Sequence, residues 1–249
     1  MSDELSRLRR EAIEELLENG TTKAQVARLL GLDPSRVTRI VGTGTPPERA
    51  LLSRDGTPVV VAMGSKESKV GNTPSDMISR DAAAAYDALR DALTSYGVRC
   101  EREIVPAPGL VDLNRDNLIA VGSPKVLPVV GQLMGSDEHL AFGEDPTGRY
   151  LANRDTETIY RSPQDSGQAT DYAYIGRLPR PDTRGTFLYL AGIHAAGTHG
   201  AVCYLLEHLE ELYRAARQRR FSLLIEAHYD AEDRSRPIIG TAAITELYL

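Results

Sequence analysis

The stretch Thr186-Phe-Leu-Tyr-Leu-Ala-Gly192-Ile-His-Ala-Ala-Gly-Thr-His-Gly200, followed by Ala201 to Arg217, decides the fold. Thr186 to Ala191 carries the strongest strand signal in the chain, a β-favouring run suited to a sheet covered on both faces. Gly192 to Gly200 reads as a loop, and Ala201 to Arg217 as a long helix. Strand, glycine turn and helix together form the repeating unit of an α/β domain.

The same grammar recurs upstream. Pro58 to Met63 predicts a buried strand that ends in Gly64-Ser65-Lys66, and a polar loop follows from Glu67 to Pro74. An Ala-rich helix runs from about Ser79, its N-cap, to Tyr96, and Gly97 closes it. Val98 to Val105 and Asn117 to Val121 predict two more strands, the latter running through Gly122-Ser123-Pro124 into a helix from Lys125 to about Met134. Downstream, Phe221 to Ile225 reads as a strand and Ile244 to Leu249 as an edge strand. Strands alternating with helices predict an α/β class, with a Rossmann-like, mainly parallel sheet that takes ligands at its carboxyl ends. Residues 140–178 break the pattern. Hairpin chemistry at Asp145-Pro146 and Gly148, with strands at Tyr150–Ala152, Thr158–Tyr160 and Tyr172–Ile175, predicts a β-meander insertion.

The first 45 residues follow different rules. Asp3 to Asn19 carries an apolar stripe of Leu5, Leu8, Ala12, Ile13, Leu16 and Leu17 at helical spacing. In Thr22 to Ile40, apolar side chains at Val26, Leu29, Leu30, Leu32, Val37 and Ile40 flank a break at Gly31. Gly31 can take the positive φ that ends one helix, Asp33 can cap the next, and Pro34 suits its first position. The expected core is Val26, Leu30, Val37 and Ile40. Ser35, Arg36, Thr38 and Arg39 then point outward with no apolar duty, and Lys23 and Arg28 lie where phosphate contacts are usual. This segment, about residues 10–45, resembles the helix-turn-helix of bacterial transcription regulators and sigma-factor-type DNA-binding segments. The resemblance implies that the second helix enters the major groove of double-stranded DNA. A helical hairpin with a solvated charged face, or one that binds protein, is the plainer reading.

Gly42-Thr-Gly-Thr-Pro-Pro47 marks a boundary. The expected organisation is a three-helix domain at 1–45, a linker at 46–56 and an α/β ligand-sensing domain at 57–249. Net charge is −6, yet residues 1–50 hold eight basic and eight acidic side chains, so the excess negative charge lies beyond them. That excludes a broad electrostatic nucleic-acid binder and suits a weak monomer that gains affinity by pairing. No apolar run approaches the roughly 20 residues that span a bilayer. The acidic start lacks the layout of a signal peptide, and Cys100 and Cys203 have no metal-type spacing. A cytoplasmic protein without membrane partner, metal or cofactor is expected.

The three glycine turns carry the expected ligand site: Gly64, Ser65 and Lys66; Gly122 and Ser123; Gly192, His194, Gly197, Thr198 and His199. Glycines admit close approach to a ligand, and the loop opens a helix whose first N–H groups attract an anion. The spacing matches neither G-x-G-x-x-G nor the phosphate loop G-x-x-x-x-G-K-[ST]. His194 and His199 stand five apart, wrong for two metal ligands on one helical face. Cys203 reads as structural, and Asp171, Glu226 and Asp230 as surface charges; no catalytic set is expected. The expectation is a homodimeric regulator that reads DNA and senses a phosphate- or carboxylate-bearing metabolite. The alternatives are a nucleotide- or nucleoside-processing enzyme with an accessory helix-turn-helix, and an interaction scaffold.

Overall fold

The computed structural model describes residues 9–10, 12–17, 19–42, 47–53, 57–70, 73–233, 235 and 237–249. The expected helix start at 3–8, the Gly/Pro boundary at 43–46 and residues 54–56 of the expected linker lie outside the described residues. The chain divides into two compact units, Met1–Pro46 and Pro47–Leu249.

In the first unit, residues 9–10 and 12–17 are helical (α1), followed by α2 (Lys23–Leu30) and α3 (Pro34–Gly42). Thr22 and Gln25 cap α2 reciprocally: the Gln25 N–H donates to Thr22 Oγ1 at 3.3 Å, and the Thr22 N–H to Gln25 Oε1 at 2.8 Å. Gly31 closes α2 at φ 62°, and Asp33 Oδ1 accepts the Ser35 N–H at 2.8 Å to start α3. Ile13, Val26, Ala27 and Val37 form the core, with Leu16, Leu17, Leu32, Ile40 and Val41 packed around it. Leu29 and Leu30 do not join it; they are 70% and 41% exposed. The chain folds back so that the Leu32 N–H bonds to Ala27 O, which brings Leu32 onto the core where Leu30 was expected.

The second unit opens with α4 (Pro47–Leu52), so the expected linker is partly helical, with Ala50, Leu51 and Leu52 buried. The strands are β1 (Val59–Gly64), β2 (Lys66–Val70), β3 (Thr73–Met77), β4 (Cys100–Val105), β5 (Leu118–Val121), β6 (Leu140–Asp145), β7 (Gly148–Asn153), β8 (Thr158–Arg161), β9 (Thr170–Pro179), β10 (Thr186–Gly192), β11 (Phe221–Tyr229) and β12 (Ile238–Ala243). The helices are α5 (Arg80–Ser95), α6 (Pro128–Leu133), α7 (Ala195–Glu207) and α8 (Leu209–Ala216). Seven strands form one sheet in the order β12-β11-β9-β10-β5-β1-β4. β4, β1, β5 and β10 are parallel neighbours, whereas β9 runs antiparallel to both β10 and β11, and β12 antiparallel to β11. The sheet is therefore mixed, with five of its strands running one way.

Both faces are buried, and the side chains alternate between them as strand geometry demands. Val59, Val61, Met63, Leu188 and Leu190 face the layer containing α5 and α7. Ala62, Phe187, Tyr189 and Ala191 face the layer containing Val130 of α6 and Leu140 and Leu151 of the insertion.

Four expectations are corrected here. The meander is β6-β7-β8 and ends at Arg161; Tyr172–Ile175 belongs to β9, in the main sheet. The polar flank at Asp171 hid that this strand extends to Thr170–Pro179 and is buried on both faces. The edge strand is β12, while Ile244–Leu249 contributes a single bridge, Ser222 to Tyr248. The helix expected over 125–134 begins at Pro128 and ends as a 3-10 turn, Met134–Ser136. The polar loop after Lys66 pairs as a hairpin, β2 with β3.

Candidate functional site

Because β1, β5 and β10 are adjacent and parallel, the turns at Gly64, Gly122 and Gly192 meet at one edge of the sheet. They border a cleft of about 100 Å³, lined among others by Gly64, Lys66, Met77, Gly122, Ser123, Lys125, Arg149, Ile193, His194 and Thr198. The lining holds three cations, Lys66, Lys125 and Arg149, and no carboxylate.

The loop expected at Gly192–Gly200 is instead a short turn, with α7 starting at Ala195 behind the N-cap residue His194. Two N–H groups at the start of α7, those of His194 and Gly197, do not await a ligand. Asp171 Oδ2 accepts the His194 N–H at 2.8 Å and the Gly197 N–H at 2.9 Å. Asp171 is fully buried, which raises its carboxyl pKa against the lowering effect of its hydrogen bonds from Ser162, His194 and Gly197. The expected surface carboxylate is therefore the anion that occupies this helix end.

The glycines serve packing more than ligand approach. A Cβ on Gly64 would stand 2.6 Å from Val126, and one on Gly122 2.8 Å from the same side chain. One on Gly197 would strike Asp171, and one on Gly200 would strike Ala227. Gly192, Gly197 and His199 do not line the cleft. Nor does Ser65, which is buried with Oγ 3.2 Å from Val105 O and 3.1 Å from Asp76 Oδ1. His199 sits half-buried in the first turns of α7, its pKa lowered by burial. The Thr198 hydroxyl accepts the Gly192 N–H at 2.9 Å while also lining the cleft.

Two cations of the lining escape sequence reading for different reasons. Lys125 follows the turn whose Gly122 and Ser123 were singled out, so its proximity was the missed signal. Arg149 comes from β7 of the insertion, with Nη1 3.4 Å from Ser123 Oγ, and nothing local in the sequence announces it. His194 is held by Asp165, Nε2 to Oδ1 at 2.8 Å. Among the described residues, no three His, Cys, Asp or Glu side chains gather to hold a metal ion. No helix of the described residues is long and apolar enough to cross a membrane.

In the first unit, Lys23, Arg28, Ser35, Arg36 and Thr38 are all exposed. Val37, between Arg36 and Thr38, is fully buried. Thr38 Oγ1 donates to Pro34 O at 3.2 Å. Arg39 is part of α3, and its side chain lies outside the described residues. Comparisons with protein-family models, with curated proteins and with solved structures return no match to this chain.

Proposed function

We propose that this chain is a sequence-specific DNA-binding transcription regulator of the cytoplasm. In this reading the first unit is a three-helix helix-turn-helix and the α/β body, Rossmann-like in its parallel half, senses a small anionic metabolite. The observation that carries the proposal is the division of α3: Val37 is buried while Ser35, Arg36 and Thr38 are exposed. Those outward groups are hydrogen-bonding types of the kind that read base edges, and an arginine, as at Arg36 and Arg39, is the residue type suited to guanine. Lys23 and Arg28 on α2 then take phosphates. The cationic cleft at the ends of β1, β5 and β10 supports the sensing half.

One such unit makes few contacts, so the working form is a homodimer on half-sites about one helical turn apart. Ligand and DNA binding are coupled by roughly 1–3 kcal/mol, the usual range, through the relative placement of the two reading heads. The test starts with selection of duplex from a random library, then gel-shift titration with Arg36→Ala and Arg39→Ala. Base reading predicts enrichment of a sequence motif and a loss of about 1–3 kcal/mol for each variant at its own base pair. Wild-type affinity in both variants, or no enriched duplex, overturns the proposal.

A further inference from the structure

We infer that the cleft at the ends of β1 and β5 selects ligands carrying two linked phosphates on an apolar ring system, the chemistry of a nucleoside diphosphate. The inference rests on the anion-sensing reading above and narrows it to one ligand class.

Charge is the first argument. Lys66, Lys125 and Arg149 come from three different elements and line one hollow with no carboxylate among the lining residues. Among the described residues none of the three makes an ion pair. Several other arginines do have carboxylate partners: Arg90 pairs with Asp87 and Asp91, Arg161 with Asp145, Arg180 with Asp116 and Asp182, and Arg214 with Glu210. Three uncompensated cations around one hollow, in a chain of net charge −6, repel one another until an anion joins them.

The second argument is where that charge does not lie. An ordinary single-phosphate seat uses the N–H groups at a helix N-terminus. Here Asp171 already accepts the N–H groups of His194 and Gly197, and its buried carboxylate disfavours another anion there. The attraction is carried by side chains set around the cleft. Lys125 and Arg149 flank the Gly122–Ser123 turn, Arg149 being tied to Ser123 Oγ, while Lys66 follows the neighbouring strand β1. One phosphate monoester brings a charge of about −1.5 to −2 at neutral pH. A linked second phosphate supplies the remaining charge and spreads it across both turns.

The third argument is the apolar wall. Met77, Val121, Val126 and Ile193 share the lining, and Met77 is 52% exposed. A thioether beside branched aliphatic side chains is a favourable surface for a flat ring. A lining that combines cations with apolar groups matches a diphosphate joined to a nucleoside.

The full chain is titrated calorimetrically, at fixed ionic strength, with ADP, AMP, inorganic pyrophosphate, inorganic phosphate and citrate. The expected order is ADP at least tenfold tighter than AMP, and pyrophosphate tighter than phosphate and citrate. Lys125→Ala, Arg149→Ala and Lys66→Ala are each expected to weaken ADP binding about tenfold with unchanged melting temperatures of the free protein. AMP or citrate binding as tightly as ADP, or undiminished ADP binding by Arg149→Ala and Lys125→Ala, overturns the diphosphate inference and leaves an anion site. No binding by any of the five probes overturns the anion-sensing reading itself.

Discussion

Asp171 Oδ2 accepts the Gly197 N–H at 2.9 Å, so a carboxylate of β9 closes the N-terminal end of α7. The same oxygen takes the His194 N–H, and the Asp171 side chain is fully buried. Removal of the acceptor leaves donors buried without partners, so Asp171→Ala is expected to lower stability by about 1–3 kcal/mol. Asp171→Asn keeps an accepting oxygen and drops the charge.

The raised carboxyl pKa fixes the sign of a pH dependence. A carboxyl with a folded value above its unfolded one holds its proton more tightly when folded. Its contribution is complete below the unfolded value of about 3.9 and is lost as pH rises through the folded value. Thermal melts across pH are expected to move in favour of Asp171→Asn, relative to the native chain, as pH rises from about 4. A trend in the other direction would show that hydrogen bonding outweighs burial at Asp171.

Gly200 and Ala227 set the distance between α7 and β11. Alanine in a helix interior gains about 1 kcal/mol over glycine, but overpacking a core costs about 1–3 kcal/mol. The Cβ on Gly200→Ala would strike the Ala227 Cβ, which is attached to a buried strand and has no rotamer to escape into. The clash is expected to win, with net destabilisation of about 1–2 kcal/mol in denaturant unfolding. In combination with Ala227→Gly the added cost of Gly200→Ala should shrink. An additive double variant would refute the contact as the cause.

Tyr189 and Tyr174 lie with ring centroids 5.8 Å apart, yet their hydroxyls have opposite fates. Tyr174 donates to Asp137 Oδ2 at 2.8 Å, whereas the buried Tyr189 hydroxyl has no hydrogen-bond partner among the described residues. Tyr189→Phe is therefore expected to leave the melting temperature unchanged or raise it. Tyr174→Phe should cost about 1.5–3 kcal/mol, the range for a hydrogen bond to a charged group. Equal losses in the two variants would contradict this assignment.

Burial and the nearby Glu207 push the Cys203 thiol up to about 11, so at pH 8 only about one molecule in a thousand carries the thiolate. In a Cys100→Ser background, alkylation of the native chain should be slow at pH 8 and rise close to tenfold per pH unit. Denaturant should abolish the protection. Rapid reaction of the native chain at pH 8 would place Cys203 among reactive cysteines.

Local chemistry was enough for the sequence to determine most elements. Positive φ at Gly31, the Ser79 cap whose Oγ accepts the Ala82 N–H at 3.1 Å, and the apolar runs of β1, β5 and β10 all follow from neighbouring residues. Such signals act over a few positions, which is why Lys66, Ser123 and His194 are legible at strand ends from the sequence alone. The helix start at Ala195 was missed because three glycines and Asp171 conceal it; its capping carboxylate lies 26 residues from Gly197. Only tertiary structure decided that β9 lies between β10 and β11, and that Arg149 reaches Ser123 across 26 positions. Strand order and the makeup of the cleft depend on packing between distant segments, and periodicity along the chain carries no record of which distant surface each element will meet.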